Sequence, residues 1–238
     1  MFRIFYKSKV LFFSTALLAI LSSLSQAAGM VPESTVVLVN VADGEGTMNV
    51  TNSDDKAMLL YTSLENLPED PDSLLVVSPP VARVEAGEKQ LVRFIVQSGQ
   101  PITTQRLKRV SFEGIPQADP SAKATIGVTV RQNLPVLISP GDLPKKQDPW
   151  TLLDWSFNGR ELTVKNESRY VVRLNQAFSV MPADLNLELP ATYILPGQTH
   201  HFELPSGTTL AADAKIRIYP ATTYGFAAQP FDAPLKTK

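Results

Sequence analysis

Thr125 to Ile138, T-I-G-V-T-V-R-Q-N-L-P-V-L-I, is the stretch on which the fold turns. Ile126, Val128 and Val130 recur at every second position, with Ala124 in phase before them. Gly127, Thr129 and Arg131 occupy the alternate positions. Successive side chains of a strand point to opposite faces, so this spacing predicts a β-strand with one apolar face. Two uses of that face are open. It can belong to the core of its own sandwich, or it can be offered to another chain.

Strand signals continue on both sides of this stretch. Toward the N-terminus, Thr35–Val41, Thr47–Asn52, Ala57–Leu64, Leu74–Ser78, Gln90–Val96 and Arg106–Phe112 are short apolar or alternating runs. They are separated by turn residues such as Ala42-Asp43-Gly44-Glu45-Gly46 and Ala86-Gly87-Glu88-Lys89. Pro79-Pro80 is expected at a sheet edge, because proline cannot donate to a ladder. The acidic run Glu69-Asp70-Pro71-Asp72 lacks the glycine and distal glutamate of a calcium loop and is expected to be a solvated turn.

Toward the C-terminus, Ser139–Pro149 (SPGDLPKKQDP) has three prolines and mixed charge, which is linker composition. A second set of runs follows: Leu152–Phe157, Leu162–Lys165, Val171–Val180, Tyr193–Leu195, Thr199–Leu204 and Lys215–Tyr219. Asn158-Gly159 between two of them is a strong hairpin signal. Trp150 and Trp155 are expected in packing. The expectation is an all-β chain of two sandwich domains, residues 28–143 and 144–238.

The first 27 residues read differently. Arg3, Lys7 and Lys9 precede the apolar run Val10–Leu21, and Ser25-Gln26-Ala27-Ala28 supplies small residues at cleavage spacing. This order is that of a secretory signal peptide, and the apolar run falls short of the roughly 20 residues of a spanning helix. Removing the three cations leaves 19 Lys+Arg against 23 Asp+Glu, a net charge of −4. That balance carries no electrostatic footprint for nucleic acid. The chain has no cysteine, so its domains must be held by core burial.

No catalytic or metal-ligand constellation is legible. His200 and His201 are the two histidines, and neighbours on a strand face opposite ways. Nucleophile-elbow, P-loop and dinucleotide patterns are absent from the sequence. The expectation is no enzyme, no cofactor and no metal.

The motifs together resemble the PapD-like periplasmic chaperones of the chaperone–usher pilus pathway, over essentially the whole mature length. The residues that carry the resemblance are Ser78-Pro79-Pro80-Val81-Ala82-Arg83-Val84-Glu85-Ala86-Gly87, then Leu91-Val92-Arg93, Leu107–Pro116 and Thr125–Pro140. Leu162–Asn166 and Leu195-Pro196-Gly197 carry it in the second half. The resemblance implies two immunoglobulin-like sandwiches in an L or boomerang arrangement, located in the periplasm. It implies capture of pilus subunits (pilins) by donor-strand complementation, a case of strand addition, and their delivery to an outer-membrane usher. Strand 124–138 would be the donor, with Ala124, Ile126, Val128, Val130 and Arg131 as subunit-binding residues. Three or four aliphatic side chains buried in a subunit groove would contribute on the order of 5–10 kcal/mol as an upper value. Such an edge must be protected in the free protein, self-association being one means.

The resemblance also implies a basic pair that holds the subunit's terminal carboxylate, and here the chain departs. Val36 and Pro135 occupy the expected positions. Arg131 with Lys108 or Arg109 is the substitute expected, against the alternative that these are solvated charges on strand faces. The family's acidic partner for Arg93 is replaced by Gln105, and Gln117–Lys123 resembles the family's short-loop branch. The competing readings are a secreted two-domain structural protein or adhesin, and a carbohydrate-binding module.

Overall fold

The structure is a computed structural model and describes residues 29–117, 129–205 and 207–237. In the first domain the strands are β1 (Met30–Pro32), β2 (Val37–Asn40), β3 (Glu45–Asn52), β4 (Met58–Glu65) and β5 (Leu75–Ser78). They continue with β6 (Val81–Val84), β7 (Lys89–Val96), β8 (Arg106–Pro116) and β9 (Arg131–Ser139). Hydrogen bonding runs β5-β7-β3-β2-β9-β8-β4-β6, with β1 added to β3.

The path folds into a sandwich because two segments change layers. β2 lies parallel to β9 over Val37–Asn40 and pairs in register with β3 only at Asn40↔Glu45. Gly46 permits that close crossing, since a Cβ there would sit 2.4 Å from the Leu38 carbonyl oxygen. The chain then leaves β5, bonded to β7, and enters β6, bonded to β4, through Pro79-Pro80. The expected edge role of these prolines holds. Between the layers lie Val37, Met48, Val50, Leu60, Phe94, Val110, Phe112, Val136 and Ile138, all buried.

The second domain comprises β10 (Asp154–Phe157), β11 (Glu161–Lys165), β12 (Val172–Arg173), β13 (Ala177–Met181), β14 (Leu185–Glu188), β15 (Tyr193–Ile194), β16 (Thr199–Glu203), β17 (Lys215–Ile218) and β18 (Phe231–Thr237). Its larger sheet runs β14-β13-β17-β18-β10-β11-β16, and β12 pairs with β15 separately. The Asn158-Gly159 hairpin forms as expected, with Asn158 Oδ1 accepting from the Glu161 amide at 2.8 Å and Gly159 at φ +90°. Trp155 is fully buried and packs on Phe178 at a ring distance of 5.2 Å.

Two features depart from the run-by-run reading. Val171–Val180 is not one strand, because β12 and β13 bond to different neighbours. β18 (FDAPLKT) is not legible as a strand, since Pro234 interrupts the pattern, yet its second half lies parallel to β10.

The domains meet at an apolar cluster of Val36, Leu67, Leu107 and Leu137 from the first and Val171 and Leu195 from the second. Gln105 fastens this junction. Its Oε1 accepts from the Val171 amide at 2.9 Å, its amide donates to the Arg169 carbonyl at 2.8 Å, and its Nε2 donates to Ser139 Oγ at 3.0 Å. Gln105 is therefore an interdomain bracket, and Arg93 finds Glu45 instead, its Nε donating at 2.9 Å. Gln105→Ala would orphan the Val171 amide at a cost of about 1–3 kcal/mol. We expect faster limited proteolysis within 139–149, read by mass spectrometry, with both domains still folded.

Candidate functional site

β9 is paired unevenly. Its β8 side is bonded from Arg131 through Ile138, whereas β2 covers the other side only from Val136 to Ser139. Among the described strands none covers that second side from Arg131 to Pro135, which leaves an edge of the kind that recruits another strand.

The two faces of β9 separate the functional candidates. Ile138, Val136 and Leu134 point into the first domain's core. The same row continues through half-buried Gln132 to Val130, which is 42% exposed. One row, apolar except at Gln132, therefore starts inside the sandwich and runs past its end. Ala124, Ile126 and Val128 would extend that row in phase, and they lie outside the described residues, as does most of the Gln117–Lys123 segment. Strand 124–138 is described from Arg131 onward as β9.

Alternation also separates the basic candidates. Lys108 is in phase with core-facing Val110 and Phe112, and it is 2% exposed. Its Nζ lies 2.8 Å from Asp70 Oδ1 and donates to the Asp70 carbonyl at 2.5 Å. Arg106 holds the same carboxylate through Nε at 2.8 Å and Asp72 through Nη2 at 2.8 Å. Burial by itself would raise the Asp70 pKa, but hydrogen bonds from Arg106 and Lys108 outweigh it, and the net direction is down. The expectation of Lys108 as an exchangeable partner for Arg131 is corrected by period two: its ammonium points into the sandwich and is already paired. The expected solvated turn at 69–72 is corrected with it, because Asp70 is the buried counter-charge.

Arg109 and Arg131 lie on the opposite face, where cross-strand pairs Glu65↔Arg109, Arg109↔Pro135, Ser111↔Asn133 and Glu113↔Arg131 align. Arg131 Nη2 donates to Glu65 Oε1 at 2.5 Å. Glu65 also accepts from Ser111 Oγ at 3.0 Å and Asn133 Nδ2 at 3.2 Å. Arg109 donates through Nε to Asn133 Oδ1 and through Nη2 to the Asn133 carbonyl at 2.8 Å. Val36 is buried in the junction cluster, and Pro135 stands directly beside Arg109.

Arg173 of β12 is paired with Tyr193 of β15. Burial, followed by the positive charge of Arg109, lowers the Arg173 pKa. This residue was missed in the sequence because a lone arginine within an apolar run has no pattern of its own. A second surface lies on the outer face of β6-β4-β8, where Val81, Tyr61, Leu59 and Ile115 are 50, 41, 43 and 41% exposed and lie on paired strands.

The two histidines do not converge. His201 Nδ1 lies 2.9 Å from Glu161 Oε1, while His200 is in phase with core-packed Phe202. Asn166 of the sequence Asn-Glu-Ser is fully buried, its Nδ2 donating to the Tyr170 and Ile194 carbonyls at 2.8 and 3.0 Å.

Residues 29–144 match the family model of the pili and flagellar-assembly chaperone PapD N-terminal domain, and residues 148–230 match that of the PapD C-terminal domain. Among curated proteins, the chain is 41% identical over 211 residues to the uncharacterized fimbrial chaperone YhcA of Escherichia coli K12, covering 88% of this chain and 92% of that one. It is 26% identical over 202 residues to the chaperone protein Caf1M of Yersinia pestis, covering 74% and 75%. Among solved structures, a complex of the Salmonella enterica SafA pilin with the SafB chaperone matches with a TM-score of 0.67 at 20% identity, over 90% of this chain and 100% of that one. The E. coli chaperone DraB matches with 0.65 at 22%, over 88% and 97%. The same two-sandwich fold recurs in these structures, and the chain belongs to the PapD family of pilus-assembly chaperones.

Proposed function

We propose that this chaperone works in the periplasm by lending the strand that begins before β9 to an incomplete pilus subunit. The single observation that supports this is the apolar row that leaves the core at Leu134 and reaches open Val130, on a strand with one uncovered edge. Strand addition supplies backbone hydrogen bonds worth about 1 kcal/mol each net, and the apolar row supplies burial. The order of charged, apolar and small residues in 1–28 supports export.

The proposed anchor for the subunit's terminal carboxylate is Arg109, beside Pro135 on the cleft face. Arg131 is its neighbour and carries Glu65 as counter-ion in the free protein. Co-expression with pilin genes from the same genome tests the proposal: a one-to-one complex should co-purify from periplasmic extract. Recovery of the chaperone alone, with subunits equally abundant in its absence, would refute it.

Delivery to an outer-membrane usher is proposed to use the Val81-Tyr61-Leu59-Ile115 face. Contiguous exposed apolar side chains of this kind mark interaction surfaces, and this one is separate from the donor row. Ile115→Glu is expected to leave subunit complexes intact in the periplasm while cutting surface pili at least tenfold, counted by electron microscopy.

A further inference from the structure

The row on β9 has one polar member between Leu134 and Val130, and it stands where the row leaves the sandwich. Gln132 is half-buried, between Leu134, which packs on the core, and Val130, which is 42% exposed. Across the ladder it is paired with Phe112, a fully buried residue. A primary amide in a row otherwise made for burial is unfavourable unless it finds a hydrogen-bond partner.

That partner is the start of β1, in the layer that faces β9. The β1–β3 ladder continues at both ends, Ser53 N donating to the Gly29 carbonyl and Glu33 N to the Asn49 carbonyl, each at 2.9 Å. Antiparallel bonds fall on alternate residues, so the Met30 carbonyl turns away from β3. Among the described residues, Gln132 Nε2 is the donor it meets, at 3.3 Å. The amide and the carbonyl thus satisfy one another.

β1 is itself firmly seated. The Met30 side chain is 1% exposed and lies against β8, where a Cβ on Gly114 would come within 3.1 Å of its Cγ. Ser53 grips the residue before it twice more. Gly29 N donates to Ser53 Oγ at 3.1 Å, and Ser53 Oγ donates to the Gly29 carbonyl at 2.9 Å. Gly29 in turn stands beside the exposed end of the row, since a Cβ there would lie 4.0 Å from Val130 Cβ.

We infer that Gln132 is a positioning residue: it stitches the base of the donor strand to β1 and so fixes the direction in which Val130 leaves the sandwich. The inference rests on the subunit-capture reading and adds to it a residue that acts through its neighbour. A strand held at its base presents its row in one orientation and loses less conformational freedom on binding.

Gln132→Leu separates positioning from burial, because the two predict opposite signs. Leucine makes the row uniformly apolar, so burial alone predicts recovery of the co-expressed pilin complex at or above the wild-type level. Positioning predicts at least a fivefold fall in recovery from periplasmic extract, with the free chaperone still folded by circular dichroism. Gln132→Glu keeps the shape and removes the donor at neutral pH, and it should fall as well. Wild-type recovery from either variant overturns the positioning role. The stitch is read separately in the isolated chaperone by ¹⁵N relaxation. In Gln132→Leu the order parameters at Val130 and Arg131 should drop, while those at Val110 and Phe112 stay. Unchanged values at Val130 and Arg131 overturn the stitch. Should Val130→Glu abolish the complex while Gln132→Leu matches wild type in both measurements, only this inference falls. Should Val130→Glu itself be without effect, the capture reading falls, and the positioning role with it.

Discussion

Val130→Glu is expected to abolish recovery of subunit complexes while leaving the chaperone folded. Val130 is 42% exposed in the free protein, so a carboxylate there stays in water and costs the monomer little. In a complex the same position would be covered. The loss combines about 1.5–3 kcal/mol of valine burial with several kcal/mol for desolvating an unpaired carboxylate. Even a sum of about 4 kcal/mol weakens binding roughly a thousandfold. Co-purification with subunits reads the effect, and an unchanged circular dichroism melt of the free chaperone controls for folding. Ile126→Glu and Val128→Glu should behave alike, because period two puts all three in one row. Arg131→Glu, on the alternate face and beside Glu65, should disturb the cleft without emptying the groove. Wild-type yields from Val130→Glu and Ile126→Glu together would remove the donor strand from the account.

Asp70→Asn is expected to destabilise the first domain by about 3–5 kcal/mol, the usual cost of removing one partner from a buried ion pair. Lys108 is 2% exposed and would be left charged inside the sandwich, with Arg106 half-released beside it. Urea unfolding followed at the first domain should show a lower midpoint with little change in slope. Asp70→Asn combined with Lys108→Met should recover part of the loss, because the lone charge then disappears. The pH dependence follows from the direction of the Asp70 shift. Its folded pKa lies below the ordinary carboxylate value of about 3.9, so its contribution is whole above that value. It is lost as the pH falls through the lower folded value. Wild-type stability should therefore decline below about pH 4, and Asp70→Asn should lack that part of the decline. A midpoint for Asp70→Asn equal to wild type at pH 7 would mean that Lys108 finds water or another partner.

The architecture was legible because strands announce themselves locally. Alternation in Thr47–Asn52, Ala57–Leu64 and Gln90–Val96, a hairpin at Asn158-Gly159 and a proline-rich break at 139–149 each depend on residues a few positions apart. Tertiary pairing decided the rest. Arg93 meets Glu45 and Gln105 bridges to Val171, choices made by strands distant in the chain. Lys108 and Arg109 are adjacent and chemically similar, yet one is sealed against Asp70 and the other faces the cleft. Alternation required them to part but did not say which face was core.

By itself the sequence determined most of the strands, the two-domain division and an apolar row at period two, since backbone alternation and turn chemistry act between neighbours. Only the tertiary structure decided that this row outruns its own core at Val130 and that Gln105 of the first domain brackets Val171 of the second. Those facts depend on where sheets end and how two domains abut, which long-range packing sets and no local pattern encodes.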